Sequence, residues 1–161
     1  MKKRLIITTL IVAGIFPLLT FGQALPPLNR KIVDYVTTVI GKQVDRGECW
    51  DLANRALTDN GAKWDGEYKY GTLLNPKKDK ILAGDIIQFE KVKVIYKVGN
   101  STTTEAMPHH TAIVYKVKED GVYQLAHQNT GFSGRKVGLS DFNINNMVKG
   151  KIYIYRPNYK N

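Results

Sequence analysis

The hydrophobic period of this chain changes once, and that change most limits what it can fold into. Between Asn29 and Asn60 the apolar residues recur at helical spacing; from Gly84 onward they fall in β-branched and aromatic runs. Ile32, Val33, Val36, Val39 and Ile40 form one stripe, closed by Gly41. Cys49, Trp50, Ala53, Ala56 and Leu57 form a second, stopped by Asn60-Gly61, and residues 41–48 read as the loop between them. "GDIIQFE" (84–90), "KVKVIYKV" (91–98), "HHTAIVYKV" (109–117), "VYQLAHQN" (122–129) and "KIYIYRP" (151–157) have strand composition. "GNSTTTEAMP" reads as a polar loop, and "SDFNINNM" as a short helix capped by Ser140 or Asp141. Two helices followed by antiparallel strands make an α+β domain, with N-terminal helices packed on an antiparallel sheet. Crossover βαβ units are absent, which excludes a doubly wound sheet.

Residues 1–22 have the layout of a secretory signal peptide: Lys2, Lys3 and Arg4, an apolar run from Leu5 to Phe21, then small or polar residues. The run is short and broken by Pro17, so no stable membrane insertion is expected after cleavage. Removing 22 of 161 residues leaves 139, enough for one domain with its own core. The division is then a signal peptide (1–22), a leader and N-terminal helix (23–40) and one main domain (41–161). The formal charge of +10 falls to +7 when Lys2, Lys3 and Arg4 leave, and still favours anionic surroundings such as a cell-wall surface. No nucleic-acid-binding motif is present. The expected location is periplasmic or secreted.

Cys49 is the single cysteine, so in an oxidising compartment it is buried, pairs between chains, or reacts. Its place at a helix start supplies partial positive charge and free N–H groups, which favour a thiolate and can hold an oxyanion. Glu48 and Asp51 oppose thiolate formation, so a nearby imidazole is needed.

The three histidines, His109, His110 and His127, fall in one hairpin. A two- or four-residue turn around Asp120-Gly121 puts His110, Ala112 and Val114 on one face with Leu125, His127 and Asn129. The four-residue turn sets His110 opposite Asn129 with His127 diagonal to it. A three-residue turn would move His127 and Asn129 to the other face, and His109 points away in every register. This otherwise apolar face is expected to pack against the Cys49 helix.

"GECWDLANRAL", "AGDIIQF", "HTAIVYKV" and "YQLAHQN", in that order, resemble the NlpC-like and CHAP-type branch of the papain-like fold, which is mostly cell-wall peptidases and amidases. The resemblance implies a cysteine hydrolase acting on amide bonds of peptidoglycan peptides without a cofactor. It makes Cys49 the nucleophile, His110 the base and His127 the orienting residue. Asn129 matches an asparagine common in the CHAP type, and Gln43, six residues before Cys49, matches a papain-like oxyanion glutamine.

Other readings compete. Cys49, His110 and His127 could bind zinc, although no CxxC or HxxxH spacing is present. A papain-like domain could bind cell-wall fragments or a protein partner without catalysis, or serve as an effector amidase. Trp64, Tyr68 and Tyr70 read as aromatic loop packing, with a groove lining as the alternative.

Overall fold

The computed structural model describes residues 24–160, so the segment 1–22, expected to be a signal peptide, lies outside the described residues. Two helices come first, α1 (Pro27–Val39) and α2 (Cys49–Thr58). Pro27 at the first helical turn suits α1, because its missing N–H has no partner to lose there. The strands are β1 (Ala62–Lys63), β2 (Thr72–Leu74), β3 (Ile86–Val98), β4 (Ser101–Glu119), β5 (Val122–His127), β6 (Gly138–Asn143), β7 (Met147–Arg156) and β8 (Asn158–Tyr159). Six of them form one antiparallel sheet in the order β2-β7-β3-β4-β5-β6, while β1 pairs with β8.

Two segments differ from the sequence expectation. "GNSTTTEAMP" is almost entirely strand: Gly99-Asn100 make the turn, and Ser101–Met107 pair back on Val92–Val98. Its threonines are β-branched and sit opposite a strongly β-forming partner, which outweighs their polarity. "SDFNINNM" is not a helix. Its first half belongs to β6, paired with β5, and only Ile144–Asn146 make a 3-10 turn, where the Asn143 side chain accepts from the Asn145 N–H at 2.9 Å.

The β4–β5 hairpin satisfies the parity argument by an indirect route. The turn at Asp120-Gly121 has two residues, with Glu119 opposite Val122, and two irregularities then shift the register until Ile113 faces Ala126. Two one-residue shifts cancel in parity, so His110 and His127 still share a face.

That face does not pack on α2, contrary to expectation. The core around the helices joins Ile32 and Val36 of α1 and Leu52, Ala53, Ala56 and Leu57 of α2 to Ile86, Ile113, Ala126 and Tyr155 of the sheet. Ile113 and Ala126 have the opposite parity to His110 and His127. The histidine face instead contributes Ala112, Val114, Tyr123 and Leu125 to a second core with Ile87, Phe89, Phe142 and Ile154. This second core closes because the sheet curls. The rings of Phe89 on β3 and Phe142 on β6 meet edge-on at 5.1 Å although two strands lie between them.

Candidate active site

α2 begins at Cys49 because the preceding loop is held from both directions. Asp51, 2% exposed, accepts from the backbone N–H groups of Arg46 and Glu48 and pairs with the Arg46 guanidinium at 2.7 Å. Burial opposes its charge, but these donors prevail and hold its carboxyl below the usual range. This acidic residue, which the sequence sets against a thiolate, is therefore turned onto the loop, where its charge is paired with Arg46. Glu48 likewise accepts from Asn129 Nδ2 at 2.7 Å.

The same loop is tied to the end of β5 by Gln128, which is fully buried. Its Oε1 accepts from the Val44 N–H at 3.2 Å, and its Nε2 donates to the carbonyls of Val44 (3.0 Å) and Glu48 (2.8 Å). Gly47, at φ 83°, lets Arg135 close over the loop: a Cβ there would lie 2.5 Å from Arg135 Cβ. Arg135 Nη1 donates to the Arg46 carbonyl at 2.7 Å. These bonds carry the start of α2 to the histidine strands although its apolar stripe packs on the other face. Gln128 escapes sequence reasoning because it reads as an ordinary glutamine between two histidine-site candidates.

Cys49 and His110 line one cavity of about 460 Å³, together with residues 103–109 of β4 and Asn129, Thr130, Gly131 and Phe132. A second cavity of about 330 Å³ meets it at Cys49, His109 and Asn129, and is walled by Arg46, Glu48, Trp50 and Tyr68. Cys49 is half-buried. Burial pushes its thiol up, with Glu48 adding to the effect. The backbone N–H groups of Thr111, Trp50 and Cys49 pull the other way without prevailing. His110 and Cys49 share the cavity without a hydrogen bond between them.

The histidines form a chain. His110 Nε2 and His127 Nδ1 share a hydrogen bond at 2.9 Å, and His127 Nε2 shares another with Ser140 Oγ at 2.8 Å. His110 is 8% and His127 2% exposed. Burial lowers His110 from an ordinary 6.5 to about 4, with His109 adding to the shift. Burial lowers His127 to about 3, with His110 adding. Both rings therefore rest neutral at physiological pH, each with one N–H and one lone pair. The Nδ1 of His110 has no hydrogen-bond partner among the described residues. Ser140 is a site residue that the sequence reading assigns elsewhere, as a helix cap; only the β5–β6 pairing brings it beside His127.

The remaining candidates fall outside this chain. Asn129 has no bond to either imidazole; its side chain goes to Glu48 and its backbone is left-handed at φ 61°. Gln43 is exposed, and its Nε2 donates to the Asp45 carbonyl at 3.0 Å, which spends the amide expected at an oxyanion hole. His109 faces outward, 2.9 Å from Glu90, with Tyr68 edge-on to its ring at 4.6 Å. Trp50, Trp64, Tyr70 and Tyr155 pack ring against ring in sequence at 5.7, 5.8 and 5.7 Å, tilted, stacked and edge-on in turn, so Trp64 and Tyr70 are packing residues, whereas Tyr68 lines the second cavity. Among the described residues no three His, Cys, Asp or Glu side chains group as a metal site.

A thiol at a helix start and a histidine on an antiparallel sheet meet at one cavity, and the family match identifies the fold as that of papain-like cysteine proteinases. The chain belongs to the family described as the AIM3/BBC1 cysteine proteinase-fold domain, which matches residues 24–161. The narrower NlpC-like or CHAP-type affiliation is not what this match shows. Altered inheritance of mitochondria protein 3 of Debaryomyces hansenii is 27% identical over 136 residues, covering 73% of this chain. The match spans only 14% of that protein's length. Two solved structures are looser likenesses, both at TM-score 0.48: Ly7917 and Ly7917 with the hydrolyzing product of MDP. They are 18% and 19% identical, over 79% and 80% of this chain and 62% and 63% of theirs.

Proposed function

We propose that this domain is a thiol-dependent hydrolase of peptide amide bonds, with Cys49 as nucleophile, His110 as base and His127 as the residue that orients it. The observation that supports this reading most is the 2.9 Å bond between His110 Nε2 and His127 Nδ1, which leaves the other nitrogen of His110 for the cavity it shares with Cys49. Ser140 accepts from His127 Nε2–H, His127 Nδ1 accepts from His110 Nε2–H, and the His110 lone pair then lies on Nδ1. Thiol and imidazole start neutral, and the proton passes from Cys49 to His110 Nδ1 as sulfur attacks the carbonyl carbon. The N–H groups at the start of α2 hold the oxyanion, and His110 returns the proton to the leaving amine. Water then hydrolyses the thioester, again with His110 as base. No cofactor takes part.

The substrate is proposed only as a peptide. Peptidoglycan, which the sequence resemblance implies, finds no support in the family match or the yeast relative. Export rests on the N-terminal sequence, and sequencing the N-terminus of protein recovered from outside the cytoplasm tests it.

A second reading, a papain-like domain that binds a peptide or protein partner without cutting it, is favoured by two observations. The thiol is held up by burial and Glu48, and no bond joins it to His110. The family match and the relative named for mitochondrial inheritance also fit this reading better than a cell-wall enzyme. The rate of Cys49 alkylation by iodoacetamide against pH separates the two. A hydrolase reacts below pH 8, and His110→Ala slows it; an inert thiol reacts only in its raised range, and His110→Ala changes nothing.

A further inference from the structure

The β4–β5 ladder ends early. Its pairs run from Glu119 and Val122 to Ile113 and Ala126, and none follows. The register would next bring His110 opposite Asn129, but Asn129 turns left-handed and the chain leaves. Residues 130–134 close instead into a small turn, with Thr130 and Gly134 bonded backbone to backbone at 3.1 and 2.9 Å. β4 continues without β5, and Ser101–His110 remain paired with β3 on their other edge. The edge that β5 leaves has no strand partner among the described residues.

This edge forms one wall of the Cys49 cavity, which is lined without interruption by residues 103–110. The facing wall is the 129–132 loop, where Phe132 stands 56% exposed. An open edge beside exposed apolar surface is a liability that folded domains normally cover. Here it borders the one thiol of the chain. Glu105 lies on the same edge, half-buried and without an ion-pair partner among the described residues; burial alone pushes its carboxyl up. An unpaired carboxylate in a groove wall favours a cation.

We propose that an extended peptide docks here, adding as a strand beside residues 103–107 of β4 in the place that β5 leaves, with a basic side chain opposite Glu105. Backbone hydrogen bonds along the edge hold the peptide with little regard to sequence, while Glu105, Met107 and Phe132 select its side chains. Pro108 has no N–H to give, so the docking donors come from the stretch before it. The inference rests on the reading that the Cys49 cavity is the functional site, and it holds whether or not the peptide is cut.

The test uses the Cys49→Ala protein, so that binding is read apart from hydrolysis. The probe is a short fluorescein-labelled peptide of alternating Thr and Val with one central Lys, followed by anisotropy. N-methylation of alternate amides should weaken binding about tenfold. Replacing Lys by Glu in the peptide should cost about threefold, and Glu105→Lys should reverse that preference. Hydrogen exchange at residues 103–107 should slow when the peptide is bound. Absence of binding, binding indifferent to N-methylation, or unchanged exchange along this stretch would each overturn the proposal. Binding as described, combined with a wild-type protein that never cuts the peptide, would retain strand addition and reject the hydrolase.

Discussion

Successive residues of β4 enter two buried polar networks on opposite faces of the sheet. On the helix side, Gln88 Oε1 accepts from the Thr111 hydroxyl at 2.7 Å and from the Tyr70 hydroxyl at 3.2 Å, the two hydroxyl oxygens lie 3.0 Å apart, and Gln88 Nε2 donates to Glu90 at 2.9 Å. Every polar group there has a partner, and the network runs out through Glu90 to His109, 2.9 Å away at the surface. On the other face, the chain from Ser140 through His127 reaches His110 and stops, with one ring nitrogen left to the cavity. A fully satisfied network only adds stability. An open one keeps a proton acceptor in reserve, and its cost is two buried imidazoles that must stay neutral.

The contrast predicts that the two faces fail differently. Under the hydrolase reading, Cys49→Ala or His110→Ala should lower turnover of a quenched-fluorescent peptide by about a thousandfold or more, while Cys49→Ala hardly moves the melting temperature and His110→Ala lowers stability by only about 1–3 kcal/mol through the lost bond to His127. Equal loss of melting temperature would make the pair part of the core. Acid should act on the open network next. His110 falls from 6.5 to about 4 on folding, so the unfolded chain binds protons that the native state refuses. Stability is full above pH 6.5 and declines as pH drops toward 4, by roughly 3 kcal/mol from His110. Urea titrations across that range for wild type and His110→Gln measure it, and matching slopes would place the acid sensitivity elsewhere.

Gln128→Ala removes three hydrogen bonds between the faces and should cost about 2 kcal/mol in urea unfolding. Turnover should fall with it, since the loop that positions Cys49 is freed. Ser140→Ala should lower turnover about tenfold with a normal fold, and nitrogen NMR should show His127 losing its fixed tautomer. Ser140→Thr should restore both. Smallest of all, Tyr70→Phe should cost about 1 kcal/mol and leave turnover per folded molecule unchanged, because it breaks only the satisfied network.

Much of this was legible in the residues. Helical spacing located both helices, and strand composition located β3, β4, β5 and β7. Parity put His110 and His127 on one face because side-chain alternation survives any even change of register. The segments read wrongly, Ser101–Met107 and Gly138–Asn143, are polar or mixed stretches whose strand state comes from the partner they pair with. Asn129 and Gln43 fit a spacing pattern, yet the backbone at Asn129 turns away and the Gln43 amide is satisfied locally.

The sequence by itself determined that two helices precede the strands, that the single thiol opens the second helix and that an even turn puts two histidines on one face, because these follow from local periods of 3.6 and 2. Only the tertiary structure decided which side of the sheet α2 covers, that Ser140 ends the histidine chain and that Gln128 ties Cys49 to it. Those contacts join residues up to 84 positions apart, and they depend on how the sheet curls and where β5 stops. No local period carries that information.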